Sequence, residues 1–122
     1  DVMIQPFLAS VEDYGERALI FLNGAYSHTI RKSSFQHLAP GGHAGETSVA
    51  TDAEEVAVAQ QVIDYLSPCP LYARVDLVRD SSDKPLVLEL ELVEPSLFLS
   101  FHPPAAVGFA DALERILDLH KV

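Results

Sequence analysis

Cysteine occurs once in these 122 residues, as Cys69 in a Ser-Pro-Cys-Pro turn. No disulfide framework or cysteine-rich metal site can form within one chain, and a reducing cytoplasm fits. Basic residues are scarce as well. Eight scattered Lys and Arg face eighteen Asp and Glu, leaving a formal charge of −10. Phosphate backbones are held by clustered Lys and Arg, so nucleic acid is excluded as a partner. A phosphate ligand stays open where metal ions bridge it to carboxylates. No apolar run approaches the ~20 residues of a membrane span, which argues against a membrane partner. No signal-peptide architecture is visible. The chain has no Gly-x-x-x-x-Gly-Lys phosphate loop. Its five histidines show no metal-ligand spacing, which argues against zinc.

What is present describes a folded chain. Apolar residues make up 48% of it and the mean hydropathy is +0.15, values foreign to disordered sequences. Residues 1–122 are expected to form a single domain, large enough for a real core. Asp1-Val-Met-Ile starts directly in an apolar run without a leading methionine, so the chain reads as a piece of something longer.

Val2 to Leu8 reads as a short strand interrupted by Pro6. Two strand-like runs flank Asn23-Gly24, the preferred dipeptide of a two-residue hairpin turn. That turn pairs Leu22 with Ala25, and counting outward sets Glu16 against Arg31. Ser33 to Thr47 is a glycine-containing loop. Thr51-Asp-Ala-Glu54 has capping-box spacing, with Thr51 as the cap of a helix carrying Val56, Val58, Val62, Ile63 and Leu66. Ser67-Pro-Cys-Pro70 ends it. A second hairpin follows, and Pro103-Pro104 open a last helix. The expected fold class is α+β, an antiparallel sheet of about five strands with two main helices packed on one side.

The second hairpin carries the chemistry. Its first strand, Leu71 to Val78, puts Arg74 and Asp76 on one face. Its second, Leu86 to Glu94, points Glu89 and Glu91 to one face and Leu88, Leu90 and Leu92 to the other. Closing the strands around the turn-rich segment 79–85 sets Asp76 opposite Glu89 and Arg74 opposite Glu91. Like charges facing across a ladder destabilise it. Three clustered carboxylates therefore ask for a cation, and hard oxygens suit Mg²⁺. A half-solvated strand with leucines in and glutamates out has the same pattern, and at this level both readings stand.

Tyr72-Ala-Arg-Val-Asp-Leu, a short loop, and Leu88-Glu-Leu-Glu-Leu-Val-Glu-Pro-Ser96 together resemble the C-terminal core of the ATP-grasp ligases. That fold is shared by glutathione synthetases, D-alanine–D-alanine ligases and RimK-type ligases. The family pattern is Arg-x-Asp, a turn, then Glu-x-Asn shortly before a proline. Glu91 stands where most members carry asparagine, which adds a negative charge at the second metal position. The resemblance runs along nearly the whole chain. Ile4-Gln-Pro-Phe-Leu8 is similar to the hinge strand that meets adenine. Gly15 to Lys32 is similar to the following hairpin, and His37 to Gly45 to the glycine loop that covers the site. The subgroup it most resembles is bacterial, near glutathione synthetase and RimK, and includes a cycloserine-biosynthesis cyclo-ligase.

The resemblance implies a ligase that phosphorylates a small carboxylate to an acyl phosphate, which an amine or related nucleophile attacks. It implies ATP and two Mg²⁺ ions as cofactors, with Asp76, Glu89 and Glu91 as metal ligands and Arg74 as the catalytic residue. Gln5, Pro6, Phe7, Leu8, Arg31 and Lys32 would bind ATP; His43 and Ser96 would meet substrate. The N-terminal half of the fold, which carries the lysines that grip phosphate, would lie elsewhere in the same protein. The 122 residues alone would then be inactive, and their uncovered inter-domain face could drive homo-oligomer formation. Two other classes compete. A metal-dependent nuclease or phosphodiesterase would want a lysine where Glu91 stands, and a non-catalytic interaction module would simply solvate the glutamate face.

Overall fold

The computed structural model describes residues 1–2, 4–33 and 45–119. Among the described residues the elements are, in order, α1 (Ser10–Asp13), β1 (Glu16–Leu22), β2 (Ala25–Lys32), β3 (Glu46–Ser48), α2 (Ala53–Asp64), β4 (Tyr72–Arg79), β5 (Pro85–Glu91), a 3₁₀ turn (Leu99–Phe101) and α3 (Pro104–Leu119). The strands form one five-stranded antiparallel sheet in the order β3-β2-β1-β4-β5. The α+β class and the strand number are as expected. Among the described residues no helix is long and apolar enough to cross a membrane.

β1 lies at the centre, which explains its sequence. A strand buried on both faces reads as a continuous apolar run, and Ala18-Leu-Ile-Phe-Leu22 is buried throughout. Alternate residues feed two separate cores. Leu19, Phe21, Ala73, Val75 and Leu77 pack against Ala59 and Ile63 of α2. Ala18, Ile20, Leu22 and Ile30 pack against Ala105 of α3 and the segment around Phe98 and Phe101. The two main helices therefore lie on opposite faces of the sheet, where the sequence suggested one. The period-2 pattern of β1 is apolar in both phases, and one helix can cover only one phase.

Local details shift by single residues. Asn23 (φ 48°) and Gly24 (φ 78°) make the expected turn, and Leu22 pairs with Ala25. A bulge between Ile20 and Phe21 then moves the register, so Glu16 faces Lys32 and not Arg31. Asp52, not Thr51, caps α2: its carboxylate accepts from Glu54 N at 2.9 Å. The Thr51 hydroxyl is instead 2.8 Å from the Tyr26 hydroxyl. Residues 4–8 form no strand, and Val2, Ile4 and Phe7 are exposed; Pro6 lacks an amide donor to join a ladder. β3 emerges from the segment read as loop, pairing Lys32 with Glu46. β5 is an edge strand, and Leu86, Val87 and Leu88 are exposed rather than turned in. Only Leu90 packs on the α2 core.

On the α2 face a polar knot ties the start of the chain to the sheet. Glu55, 1% exposed, accepts from the Tyr14 hydroxyl at 2.6 Å and pairs with Arg79 at 3.1 Å. Burial opposes the Arg79 charge, but the hydrogen bond to Tyr14 and the charge of Glu55 outweigh it and raise its pKa. Arg17 stacks 3.7 Å above the Tyr14 ring.

Candidate active site

Asp76 is fully buried at the middle of β4, on the α3 face of the sheet. An isolated carboxylate there would carry a desolvation penalty of several kcal/mol. Both oxygens are occupied. Oδ1 accepts from Arg74 Nε at 2.8 Å, and Oδ2 accepts from Arg74 Nη2 at 3.0 Å and Lys32 Nζ at 2.7 Å. The Arg74 contact is a two-point grip that only a planar guanidinium makes. Lys32 bridges onward to Glu16 at 2.7 Å.

The strand register supplies the other members. Asp76 pairs with Glu89 and Arg74 with Glu91, as the hairpin pattern anticipates. A bulge between Asp76 and Leu77 leaves Leu88 as the extra residue of β5, just before Glu89. Arg74 Nη2 donates to Glu91 and lies 3.9 Å from Glu89. For both cations burial works against the charged form. Hydrogen bonds and charge from Asp76, joined by Glu16 at Lys32 and by Glu91 at Arg74, outweigh it, and both pKa values rise.

One oxygen each from Asp76, Glu89 and Glu91 lies within 4.8 Å of the others. Counting Glu16, four carboxylates face the two cations Lys32 and Arg74, an excess of two negative charges. A hard, all-oxygen donor set with that excess fits a divalent ion such as Mg²⁺, which takes one or two protein carboxylates and fills its octahedron with water or phosphate.

Beside this cluster, residues 5–8 line a depression of about 290 Å³ together with Glu16 and Leu88. A second depression, of about 280 Å³, lies between Glu46 and the segment carrying Ser96, Phe98 and Phe101. Glu46 pairs with Lys32 across β3–β2, so this hollow adjoins the cluster on its other side.

No family model matches the chain. It is 40% identical over 128 residues to the cycloserine biosynthesis protein DcsG of Streptomyces lavendulae, an alignment covering 95% of this chain and 42% of that protein. The crystal structure of D-cycloserine synthetase DcsG matches with a TM-score of 0.80 and 37% identity, over 93% of this chain and 41% of that one. This likeness in sequence and fold supports reading the chain as a C-terminal portion of an ATP-grasp ligase. The D-alanine–D-alanine ligase of Bacillus anthracis, solved with ATP, shares the fold at 19% identity and a TM-score of 0.54, over 84% of this chain and 36% of that one. The chain thus spans about 42% of the length of the curated relative it matches.

On this sheet the residues singled out from sequence separate into groups. Arg74, Asp76, Glu89 and Glu91 come together, joined by Lys32. Arg31 does not join them, because neighbours on a strand point to opposite faces. Its guanidinium donates to the carbonyls of Tyr14 at 2.8 Å and Asp13 at 2.8 Å. Gln5, Pro6, Phe7 and Leu8 lie in coil at the rim of their depression. Ser96 is exposed on the segment after β5. His43 and most of the glycine loop lie outside the described residues.

Two participants escaped the sequence reading. Counting from the turn sets Glu16 against Arg31, and only the bulge places it opposite Lys32. His28 lies on the same face as Lys32, four residues back along β2, yet histidine spacing alone says nothing of it.

Proposed function

We propose that the protein to which these residues belong is an ATP- and Mg²⁺-dependent ligase of the cytoplasm, joining a small carboxylate to an amine or related nucleophile through an acyl phosphate. In this reading residues 1–122 act as one unit, and the remainder of the ATP clamp lies elsewhere in the same protein, so these residues alone do not turn over. The strongest support is the convergence of Arg74, Lys32 and three carboxylates on one sheet face, between the two depressions.

The roles follow from position. The rim formed by Gln5, Pro6, Phe7 and Leu8 takes the adenine, with apolar contact from Leu88. Lys32, fixed between Glu16 and Asp76, directs its charge along the path from that rim to the cluster. Asp76, Glu89 and Glu91 hold two Mg²⁺ ions. When bound, these ions neutralise charge on the phosphates and at the transferred group. Arg74, already oriented by Asp76, presents a fixed cation to the acyl-phosphate oxygens. Ser96 and His43 are the candidates for contact with the carboxylate or its nucleophile.

The test is carboxylate-dependent ADP release by the protein as encoded, with hydroxylamine trapping the activated acyl group as a hydroxamate. Glu89→Gln is expected to weaken Mg²⁺ activation and to lower turnover on the order of 10²-fold, the scale of losing one aligned electrostatic partner. Unchanged Mg²⁺ dependence in this variant would overturn the assignment of Glu89. Neither competing class gains an observation of its own: Glu91 occupies the position where a nuclease would place its lysine, and one of its oxygens accepts from Arg74.

A further inference from the structure

His28 is 5% exposed, near the middle of β2, and both ring nitrogens are engaged. Nε2 lies 3.1 Å from the Leu97 carbonyl and Nδ1 2.9 Å from the Ser27 hydroxyl. A carbonyl only accepts, so Nε2 carries the proton and Nδ1 accepts from Ser27, which assigns one neutral tautomer. Its ring stacks on His102 with centroids 5.1 Å apart and planes 22° from parallel. Leu97 and His102 both lie in the connection from β5 to α3. That connection holds two non-glycine residues in the left-handed region, Glu94 (φ 53°) and Phe98 (φ 49°). Such residues are strained and persist only where the surroundings hold them. The surroundings here are the His28 anchor beneath Leu97 and the edge-on Phe98–Phe101 pair, seated against Ile20 and Ile30.

We infer that His28 is a positioning residue: by donating to the Leu97 carbonyl it seats the segment 94–101, and with it Ser96 and Phe98, as the wall of the hollow that receives the substrate other than the nucleotide. The hollow is the one bounded by Glu46, Ser96 and Phe101, with room for a small organic acid or amine. It adjoins the carboxylate cluster through the Glu46–Lys32 pair, on the opposite side of the cluster from the rim of residues 5–8. Geometry thus divides the site in two. His28 governs one half and leaves the nucleotide half untouched. The assignment of that half rests on the proposed ligase function; the anchoring itself does not.

His28 also sets a pH limit on the wall. Burial, and after it the neighbouring charge of His102, hold its pKa below the usual imidazole value, against smaller support from the Leu97 and Phe98 carbonyls. Ser27, Leu97 and the apolar residues around the ring carry no charge, so His102 is the titratable neighbour among the described residues. Protonation leaves Nε2–H on the Leu97 carbonyl, but it removes Nδ1 as acceptor for Ser27 and puts a charge in a buried site, so the stability of the seat is complete above the ordinary histidine pKa of about 6.5 and is lost as pH falls through the folded value.

The test compares His28→Leu, which keeps bulk and removes the donor, with His28→Gln, which restores an N–H at similar reach. In the protein as encoded, His28→Leu is expected to lower amide-exchange protection of residues 97–102 by about tenfold, near the factor for one lost hydrogen bond. It should raise KM for the carboxylate or nucleophile severalfold while KM for Mg·ATP holds, and His28→Gln should recover both. Wild-type protection, corrected for intrinsic exchange, should fall below pH 6.5 more steeply than that of His28→Gln. Unchanged protection in His28→Leu, or equal loss in the two variants, overturns the anchor. Should no carboxylate support turnover in the wild type, the ligase reading fails, while the exchange measurements still decide the role of His28. A variant that raises both KM values together shows a general structural role and overturns the division of the site.

Discussion

Arg74 divides its donors between two carboxylates that differ in surroundings. Asp76 is sealed in the sheet and takes Nε and Nη2; Glu91 is half-buried at the edge and takes Nη2 alone. Removing charge from this arrangement is unlike removing it from the other face. There Arg79 is equally buried, but its partner Glu55 is a buried residue of α2, and both bond to the Tyr14 hydroxyl. Arg74 stands beside a surplus of negative charge that a bound cation could use, so its role is electrostatic as well as structural. Arg74→Lys tests this. Lysine keeps the charge but cannot grip Asp76 at two points and still reach Glu91. Turnover is expected to fall roughly 10²–10³-fold, the scale of a lost oriented donor, with the thermal midpoint changed far less than by Arg74→Ala. Equal activity of Arg74→Lys and wild type would show that only net charge matters there.

At the scale of elements, close approach of β1 and β2 fixes where Lys32 points. Gly15 enters β1 with φ +76°, and a Cβ there would lie 2.5 Å from the Lys32 carbonyl oxygen, a backbone atom with nowhere to move. Gly108, in α3, would place its Cβ 3.6 Å from Leu22 Cδ1, an ordinary contact. The two glycines therefore predict opposite results. Gly15→Ala should destabilise by more than about 1 kcal/mol and displace the end of β2. Gly108→Ala should stabilise by about 0.5–1 kcal/mol through helix propensity. Thermal denaturation of the two variants side by side checks both signs. The Asp76/Glu89 and Arg74/Glu91 pairings were legible from the alternation that puts Arg74 with Asp76 and Glu89 with Glu91 on one face of each strand, although a bulge at Leu88 intervenes between them and the turn. The Glu16–Lys32 pairing was not, because one inserted residue at Ile20/Phe21 reverses the bookkeeping of everything beyond it. The placement of α2 and α3 on opposite faces was hidden for another reason: β1 is apolar in both phases, and its central position is a property of the whole sheet. The seat of His28 under Leu97 joins residues 69 positions apart, beyond any local pattern.

For the molecule as a whole, two surface properties oppose one another. Leu86, Val87 and Leu88 on the edge strand, with Leu92 and Val93 beyond it, are exposed, and Val93 is 78% so. Residues 5–8 adjoin Leu88, and Ile4 and Phe7 add exposed apolar area to the same side. An edge strand also offers unpaired backbone groups, blunted here by Pro85 and by the charges of Glu89 and Glu91. Against this attraction stands a net charge of −10, which repels a second copy. At low ionic strength the repulsion reaches about 30 Å at 0.01 M, and it shrinks to about 3 Å at 1 M. The 122-residue chain is therefore expected to sediment as a monomer in dilute buffer and to associate reversibly as salt rises. Val87→Lys and Val93→Lys should each suppress that association without lowering the thermal midpoint, since both side chains are exposed and neither contributes to the two cores. A sedimentation coefficient independent of salt and concentration would show that the strip is too small to hold a second copy. An association equally strong in both lysine variants would place the contact elsewhere, away from β5.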